Sequence, residues 1–192
     1  MKPDTRSKEE RCAEYRRLQA FDDAFRAGDM EALVALIDGE ETPDFPNGYG
    51  PWGLRISVLQ NAIYHSPLRF VRALLELGAD PKYDDGDGFP SLIAALSSKP
   101  DPQNKYPGRD DVHELMELLL SFGANPNQHG HNDYTPLHWA ASEGDARAVK
   151  LLLARGADPA ERTRIDDYET PLEVAERAGR TEVAEILREA SK

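Results

Sequence analysis

Apolar residues recur along the chain at helical spacing, in short blocks separated by polar segments that contain glycine and proline. In the clearest block, Ala148, Val149, Leu152 and Leu153 stand at positions i, i+1, i+4 and i+5. This spacing gives a helix one apolar face. Gly156 follows the last turn and suits a left-handed C-terminal cap. The pattern predicts an amphipathic helix that ends at this glycine.

A shorter apolar block precedes this helix and carries its own start and stop signals. Thr135 can cap a helix, and Pro136 loses nothing at the first helical position, where its missing N–H needs no partner. Ala140 and Ala141 are small enough to allow close packing, and Gly144 breaks the helix. Together the two blocks predict a helix–turn–helix unit.

The unit repeats. One marker reads LLELGADPK, LLSFGANPN and LLARGADPA, and its glycines are Gly78, Gly123 and Gly156, which are 45 and 33 residues apart. The leucines of a second marker are Leu59, Leu92, Leu137 and Leu172, which are 33, 45 and 35 residues apart. Both markers indicate a period of 33, with 12 extra residues in one unit and two in another. A fixed period of this length is typical of repeat proteins.

The unit resembles the ankyrin repeat. The stretch TPLHWAASEGDARAVKLLLARGADPA matches the pattern of that family almost throughout, and the resemblance covers roughly residues 20–190. It implies an all-α solenoid of about five helix-turn-helix repeats, with β-hairpin fingers at one edge and degenerate capping repeats at the ends. Fingers and inner helices would form a concave groove. It also implies that the His138 imidazole bridges the Thr135 hydroxyl and the backbone of a neighbouring finger.

The units differ in how closely they follow the pattern. We expect residues 1–192 to form a single domain whose terminal units act as caps. Its parts are 7–51, an N-terminal helical cap and loop; 52–83, a repeat; 84–128, a repeat with an insertion at about 97–110 between its helices; 129–161, a repeat; and 162–192, a C-terminal capping repeat.

Two longer loops, 39–52 and 97–110, are not explained by the repeat. Each is either a linker or a functional insertion, because long loops in compact domains often carry function. If the second loop is functional, Lys99, Tyr106 and Arg109 are its contact candidates.

Charge narrows the choice of partner. The chain has 35 acidic residues against 23 Lys and Arg, for a net charge of −12. An acidic chain repels phosphate, so we expect neither nucleic acid nor a membrane surface as a partner. The excess of acidic residues either keeps the protein soluble or complements a partner with a basic surface. The single cysteine Cys12 excludes an internal disulfide, and no secretory signal is visible. We expect a cytoplasmic chain that is a monomer on its own.

No motif points to an enzyme or a cofactor. Nucleophile-elbow, phosphate-loop and dinucleotide-glycine patterns are absent from the sequence. The alternative to a binding module is a metal or small-ligand site built from His129, His131 and Asp133. Closed metal sites usually need four fixed ligands, however, so we predict no metal.

The expected function is therefore to bind a protein partner through the groove and the finger tips, as an inhibitor, an immunity (toxin-neutralising) protein or an adaptor. Aromatic residues supply contact area at low entropy cost, and carboxylates favour Lys or Arg on a partner. The candidates are Asp84, Asp87 and Phe89 on the third finger, His131, Asn132 and Tyr134 on the fourth, Asp166, Asp167 and Glu169 on the fifth, and Trp139, Ser142, Glu143 and Arg177 on the inner helices.

Overall fold

Short helices in antiparallel pairs make up the chain in a computed structural model that describes residues 7–37, 45–48, 57–83, 89–100, 108–164 and 168–191. The described residues form ten α-helices and a 3-10 turn at His131–Asp133. The helices are α1 (Lys8–Ala27), α2 (Met30–Ile37), α3 (Val58–His65), α4 (Leu68–Glu76), α5 (Ser91–Ser97), α6 (Val112–Ser121), α7 (Pro136–Glu143), α8 (Ala146–Ala154), α9 (Pro171–Arg177) and α10 (Thr181–Ala190). In this part of the chain, no helix combines the length and the apolar character needed to cross a bilayer.

The helices stack as the sequence predicts. Each odd-numbered helix packs on the helix that follows it, which gives five pairs. The first helices of successive pairs contact one another in the order α1, α3, α5, α7 and α9, and α8 contacts both α6 and α10 in the second row. This confirms the all-α solenoid of about five units, while the residue limits given above for each unit stay predictions.

The fingers differ in detail from the hairpins that the resemblance implies. Where the fingers are described they contain no β-strand, and single backbone hydrogen bonds close them as turns. In the fourth finger the Gly130 N–H donates to the Tyr134 carbonyl at 2.9 Å, and in the fifth the Thr163 N–H donates to the Glu169 carbonyl at 3.1 Å. One such bond is too few for a ladder.

Helix starts and stops follow the local signals. The Thr135 hydroxyl accepts the His138 N–H, and Ser57 takes the same role in the second unit by accepting the Gln60 N–H. Pro90 precedes α5, which starts without a side-chain cap. Gly144 caps α7 in the left-handed conformation, with φ of 77°.

The apolar faces meet in one core that runs the length of the stack. Its N-terminal end is aromatic: the rings of Phe25 and Phe70 pack edge to face with centroids 5.4 Å apart, and both are buried. Only the second half of α1 joins this core. Its first half begins with a capping box between Ser7 and Glu10 and lies largely exposed.

Arginines connect successive pairs at the ends of the inner helices. In three places an arginine of one pair donates to a backbone carbonyl at the C-terminal end of the preceding inner helix. These carbonyls lack partners within their own helix and carry the negative end of its dipole, so a cation suits them. The pairs are Arg69 to Ala27 at 2.8 Å, Arg109 to Ile63 at 3.0 Å and to Ser66, and Arg180 to Ser142 at 2.9 Å.

Candidate functional site

Four of the predicted contact residues, Asp84, Asp87, Asp166 and Asp167, lie outside the described residues, as does Tyr106. The remaining candidates fall into two contact clusters and a few isolated positions.

Three rings from neighbouring units pack against one another, and we call Phe89, His131 and Trp139 the ring cluster. The Phe89 and His131 rings stack with centroids 5.7 Å apart and planes 12° from parallel. The Trp139 ring meets Phe89 edge-on at 6.1 Å. Phe89 and Trp139 are half-buried against the core, whereas His131 is exposed. The cluster therefore joins the third finger, the fourth finger and α7 in one surface.

A second group, Tyr134, Glu169 and Arg177, is the Arg177 cluster. The Arg177 guanidinium donates to both Glu169 carboxylate oxygens at 2.7 Å, and also to the Tyr134 hydroxyl at 3.2 Å. Such a two-point fork is geometrically well matched. The Glu169 side chain keeps only 16% of its surface exposed, against 54% for Arg177. Glu169 is thus occupied within the chain, and Arg177 is the charge that this cluster presents to solvent.

His138 ties the fourth unit to the fifth. Its Nδ1 lies 2.8 Å from the Thr135 hydroxyl and its Nε2 lies 3.0 Å from the Glu169 carbonyl oxygen. The ring is fully buried, and burial lowers the pKa of His138 below 6.5. The bridge that the resemblance implies is confirmed, so this histidine serves the stack.

Comparison with known proteins agrees with this geometry. A family model described as ankyrin repeats (3 copies) matches residues 108–192. The chain is an ankyrin repeat protein. Its repeat surface is the kind that this class of protein uses to bind partners.

Three relatives illustrate where such a chain occurs. The putative E3 ubiquitin-protein ligase XBAT35 of Arabidopsis thaliana is 34% identical over 61% of this chain and 23% of its own length. The ankyrin repeat, SAM and basic leucine zipper domain-containing protein 1 of Dasypus novemcinctus is 30% identical over 73% of this chain and 27% of its own. The putative ankyrin repeat protein FPV014 of fowlpox virus is 25% identical over 88% of this chain and 34% of its own length. The ankyrin repeat protein described here thus spans between 23% and 34% of the length of these relatives.

The other candidates of the ankyrin repeat protein stand apart from the clusters. Glu143 is exposed at the end of α7, and the Ser142 hydroxyl donates back to the Trp139 carbonyl at 2.9 Å. Asn132 is exposed in the left-handed conformation, with φ of 54°, and Asp133 follows with φ of 59°. Asn and Asp tolerate this conformation better than other side chains, which explains their presence at the tip.

The alternative metal site is not assembled. His131 stacks in the ring cluster instead. His129 contacts two carboxylates: its Nε2 lies 3.2 Å from a Glu161 oxygen and its Nδ1 lies 3.0 Å from an Asp133 oxygen. Desolvation raises the pKa of Asp133, but hydrogen bonds from Arg164 outweigh it and lower the pKa overall. Over the residues that the structure describes, no group of three or more His, Cys, Asp or Glu is arranged to hold a metal ion.

Sequence reasoning missed one polar centre, around Asp145. The Lys99 ammonium lies 2.6 Å from the Asp145 carboxylate, and His113 Nε2 lies 2.9 Å from the same group. Lys99 therefore anchors the start of the insertion to α8, as Arg109 anchors its end to α3. His113 and Asp145 stand 32 residues apart, about one repeat period. Comparing polar residues one period apart is the signal that would have found them.

Proposed function

We propose that this ankyrin repeat protein is a non-enzymatic interaction module that binds a protein partner across the ring cluster and the Arg177 cluster. The observation that carries the proposal is the contact geometry of these residues: rings of the third and fourth units pack together in the ring cluster, and Arg177 of the fifth unit contacts Tyr134 of the fourth. Interfaces depend on such aromatic and arginine anchors.

The clusters are held in place before any partner arrives. Phe89 stacks on His131 and meets Trp139 edge-on, and Arg177 is held by its fork to Glu169. Side chains that are already ordered lose less entropy on binding. The exposed parts of His131, Tyr134 and Arg177 supply the contact area, and the candidates in the segments 84–88 and 165–167 precede Phe89 and Glu169 in the sequence.

The partner is proposed to carry a basic surface. The net charge of −12 and the exposed Glu143 support this choice. Among the roles of inhibitor, immunity protein and adaptor, the adaptor draws support from the three relatives above, in which the matching segment is one part of a longer protein, one of them named as a putative E3 ubiquitin-protein ligase. A monomer that works in the cytoplasm completes the proposal.

The test is capture of partners from the cells in which the protein occurs, followed by quantitative mass spectrometry. Phe89 and Tyr134 are both replaced by Asp. The matched control replaces Tyr15 and Phe122, exposed rings on α1 and at the end of α6, by Asp. We expect the variant with Asp at positions 89 and 134, which we call the groove variant, to lose captured proteins that the control retains. Both variants should keep the same helical content.

Capture that is unchanged in the groove variant, or lost equally in the control, would overturn the proposal. Should the double variant lose helical content, Tyr134→Asp alone provides the test, because it leaves the ring cluster intact and the Tyr134 hydroxyl bonds the exposed Arg177.

A further inference from the structure

Two asparagines make the same pair of hydrogen bonds to the following unit. Asn127 Nδ2 donates to the Gly156 carbonyl at 3.0 Å, and its Oδ1 accepts the Asp158 N–H at 2.8 Å. Asn47 does the same for the second unit, where the Gly78 carbonyl accepts at 3.1 Å and the Asp80 N–H donates at 2.6 Å. We call each arrangement an asparagine staple. A carboxamide is suited to it because it presents a donor and an acceptor side by side.

The two staples hold different parts of the stack. Asn127 lies between the third and fourth pairs, within the family match. Asn47 lies between α2 and α3 and reaches the turn after α4, so it ties the segment leaving the N-terminal pair to the second pair. The junction is also held by the contact between α1 and α3, the ring contact between Phe25 and Phe70, the bond from Arg69 to the Ala27 carbonyl and the bond from the Val58 N–H to the Gly48 carbonyl at 3.2 Å.

Asn47 and Asn127 differ in chemical reactivity because different residues follow them. Asn47 is followed by Gly48 in the only Asn-Gly dipeptide of the chain, whereas Asn127 is followed by Gln128. Glycine has no side chain to shield its backbone nitrogen and gives the backbone the freedom to bend towards the preceding side chain. Asn47 is also exposed. Asparagine is a thermolabile residue, and it is most labile when glycine follows it.

We propose that Asn47-Gly48 is a spontaneous deamidation site whose conversion loosens the N-terminal helix pair from the repeat stack. The Gly48 backbone nitrogen attacks the Asn47 side-chain carbonyl carbon and forms a five-membered succinimide ring. The carbon–nitrogen bond of the carboxamide breaks, and its nitrogen leaves as ammonia with the proton from Gly48. Water then opens the ring at either carbonyl and gives aspartate or isoaspartate.

The product cannot rebuild the staple. An aspartate carboxylate accepts the Asp80 N–H but has no proton for the Gly78 carbonyl, so two oxygens face each other where a hydrogen bond was. Isoaspartate in addition adds a methylene to the backbone and moves the carboxylate. The native staple restrains the Asn47 carboxamide with two hydrogen bonds, so the attack needs the junction to open first. The rate of conversion thus reports the opening of this junction.

The test incubates the full chain at mildly alkaline pH, once folded and once unfolded in urea, and follows both asparagines by peptide mapping. An isoaspartyl methyltransferase with labelled methyl donor detects isoaspartate. We expect conversion at Asn47 and none at Asn127 over the same period, and faster conversion in urea. A folded chain whose Asn47 stays intact while the unfolded chain converts completely would overturn the site.

The structural consequence is tested separately by hydrogen exchange in two matched variants, Asn47→Asp and Asn127→Asp. Loss of one hydrogen bond should speed exchange severalfold, up to about tenfold, in the affected elements. The first variant should show this in α1 and α2, and the second in α7 to α10. Unchanged protection of α1 and α2 in Asn47→Asp would overturn the proposed loosening.

Discussion

The buried His138 imidazole bonds the backbone of Glu169 in the next repeat, with 3.0 Å between its Nε2 and the Glu169 carbonyl oxygen. The Thr135 N–H donates to the other ring nitrogen at 3.2 Å, so Nδ1 accepts and Nε2 carries the proton. The ring is neutral in this arrangement. A second proton would displace the Thr135 bond and place a charge in the core, which is why burial lowers the pKa of His138.

Stability should therefore fall on the acid side of neutrality. Because the folded pKa of His138 lies below the unfolded value of 6.5, the unfolded chain binds more protons as the pH falls through 6.5. The contribution is fully present above 6.5 and is lost as the pH falls from there towards the folded pKa. Urea unfolding at several values between about pH 5 and 8 measures this slope.

The matched variant for this measurement is His138→Gln, whose amide can still donate to the Glu169 carbonyl but does not titrate. We expect a flatter profile in this range. His138→Ala should cost about 1–3 kcal/mol above pH 6.5, since it leaves the buried Thr135 N–H without its acceptor. The cost should shrink at lower pH, where the wild type itself loses the contribution of the ring. Equal slopes in the wild type and His138→Gln would show that another group is responsible.

Asp145 should govern stability at a more acidic pH. Desolvation raises its pKa, but hydrogen bonds from Lys99, the Ala148 N–H and His113 outweigh this and lower the pKa to about 2. A depressed carboxyl pKa contributes stability above its ordinary value of 3.8, and this is lost as the pH falls towards 2. Asp145→Asn keeps an acceptor for the helix cap but removes the charge, so it should abolish this part of the acid transition.

Asp145→Ala removes the cap as well and should cost about 0.5–2 kcal/mol at neutral pH. Thermal unfolding of the two variants separates the roles. If both variants lose the same free energy of unfolding at neutral pH, the hydrogen bond from the Ala148 N–H to the Asp145 side chain contributes nothing measurable.

The sequence predicts the parts of this fold that depend on local geometry. Thr135, Pro136 and Gly144 act within a few residues of one another, so their spacing alone indicates a helix with a start and an end. The period then locates equivalent positions in other units. The bridge from His138 came from family resemblance, since nothing in its own neighbourhood points to a carbonyl 31 residues away.

Contacts that vary between repeats were not predictable in this way. The Lys99 contact to Asp145 starts from the 12-residue insertion, which interrupts the period, and the arginine donors sit at different places in their units. The ring cluster was predicted as separate contact residues, but their stacking depends on side-chain orientation across a unit boundary. Whether they contact a partner stays a prediction.

Arg109 should be the most sensitive of the arginines between units. Its side chain is only 8% exposed, forks onto Asp111 at 2.8 and 2.9 Å and donates to two backbone carbonyls of the preceding unit. Arg109→Ala leaves these carbonyls unsatisfied, so we expect a loss of about 2–3 kcal/mol in urea unfolding. Arg109→Lys should recover less than half, because an ammonium cannot reproduce a planar fork. Full recovery would mean that charge alone matters there.

Gly156 and Gly144 separate backbone strain from crowding. Both are left-handed, with φ of 86° and 77°, but a Cβ on Gly156 would meet nothing within 4 Å, whereas one on Gly144 would lie 2.8 Å from Arg180 Cδ. Gly156→Ala should therefore cost only the conformational penalty of about 1–2 kcal/mol. Gly144→Ala should cost more, because Arg180 must move and its bond to the Ser142 carbonyl at 2.9 Å is disturbed. The exposed Lys150→Ala, within about 0.5 kcal/mol of wild type, is the baseline. The cap assignments are supported if the melting temperature falls least in Lys150→Ala, more in Gly156→Ala and most in Gly144→Ala. They are contradicted if Gly156→Ala and Lys150→Ala have the same melting temperature.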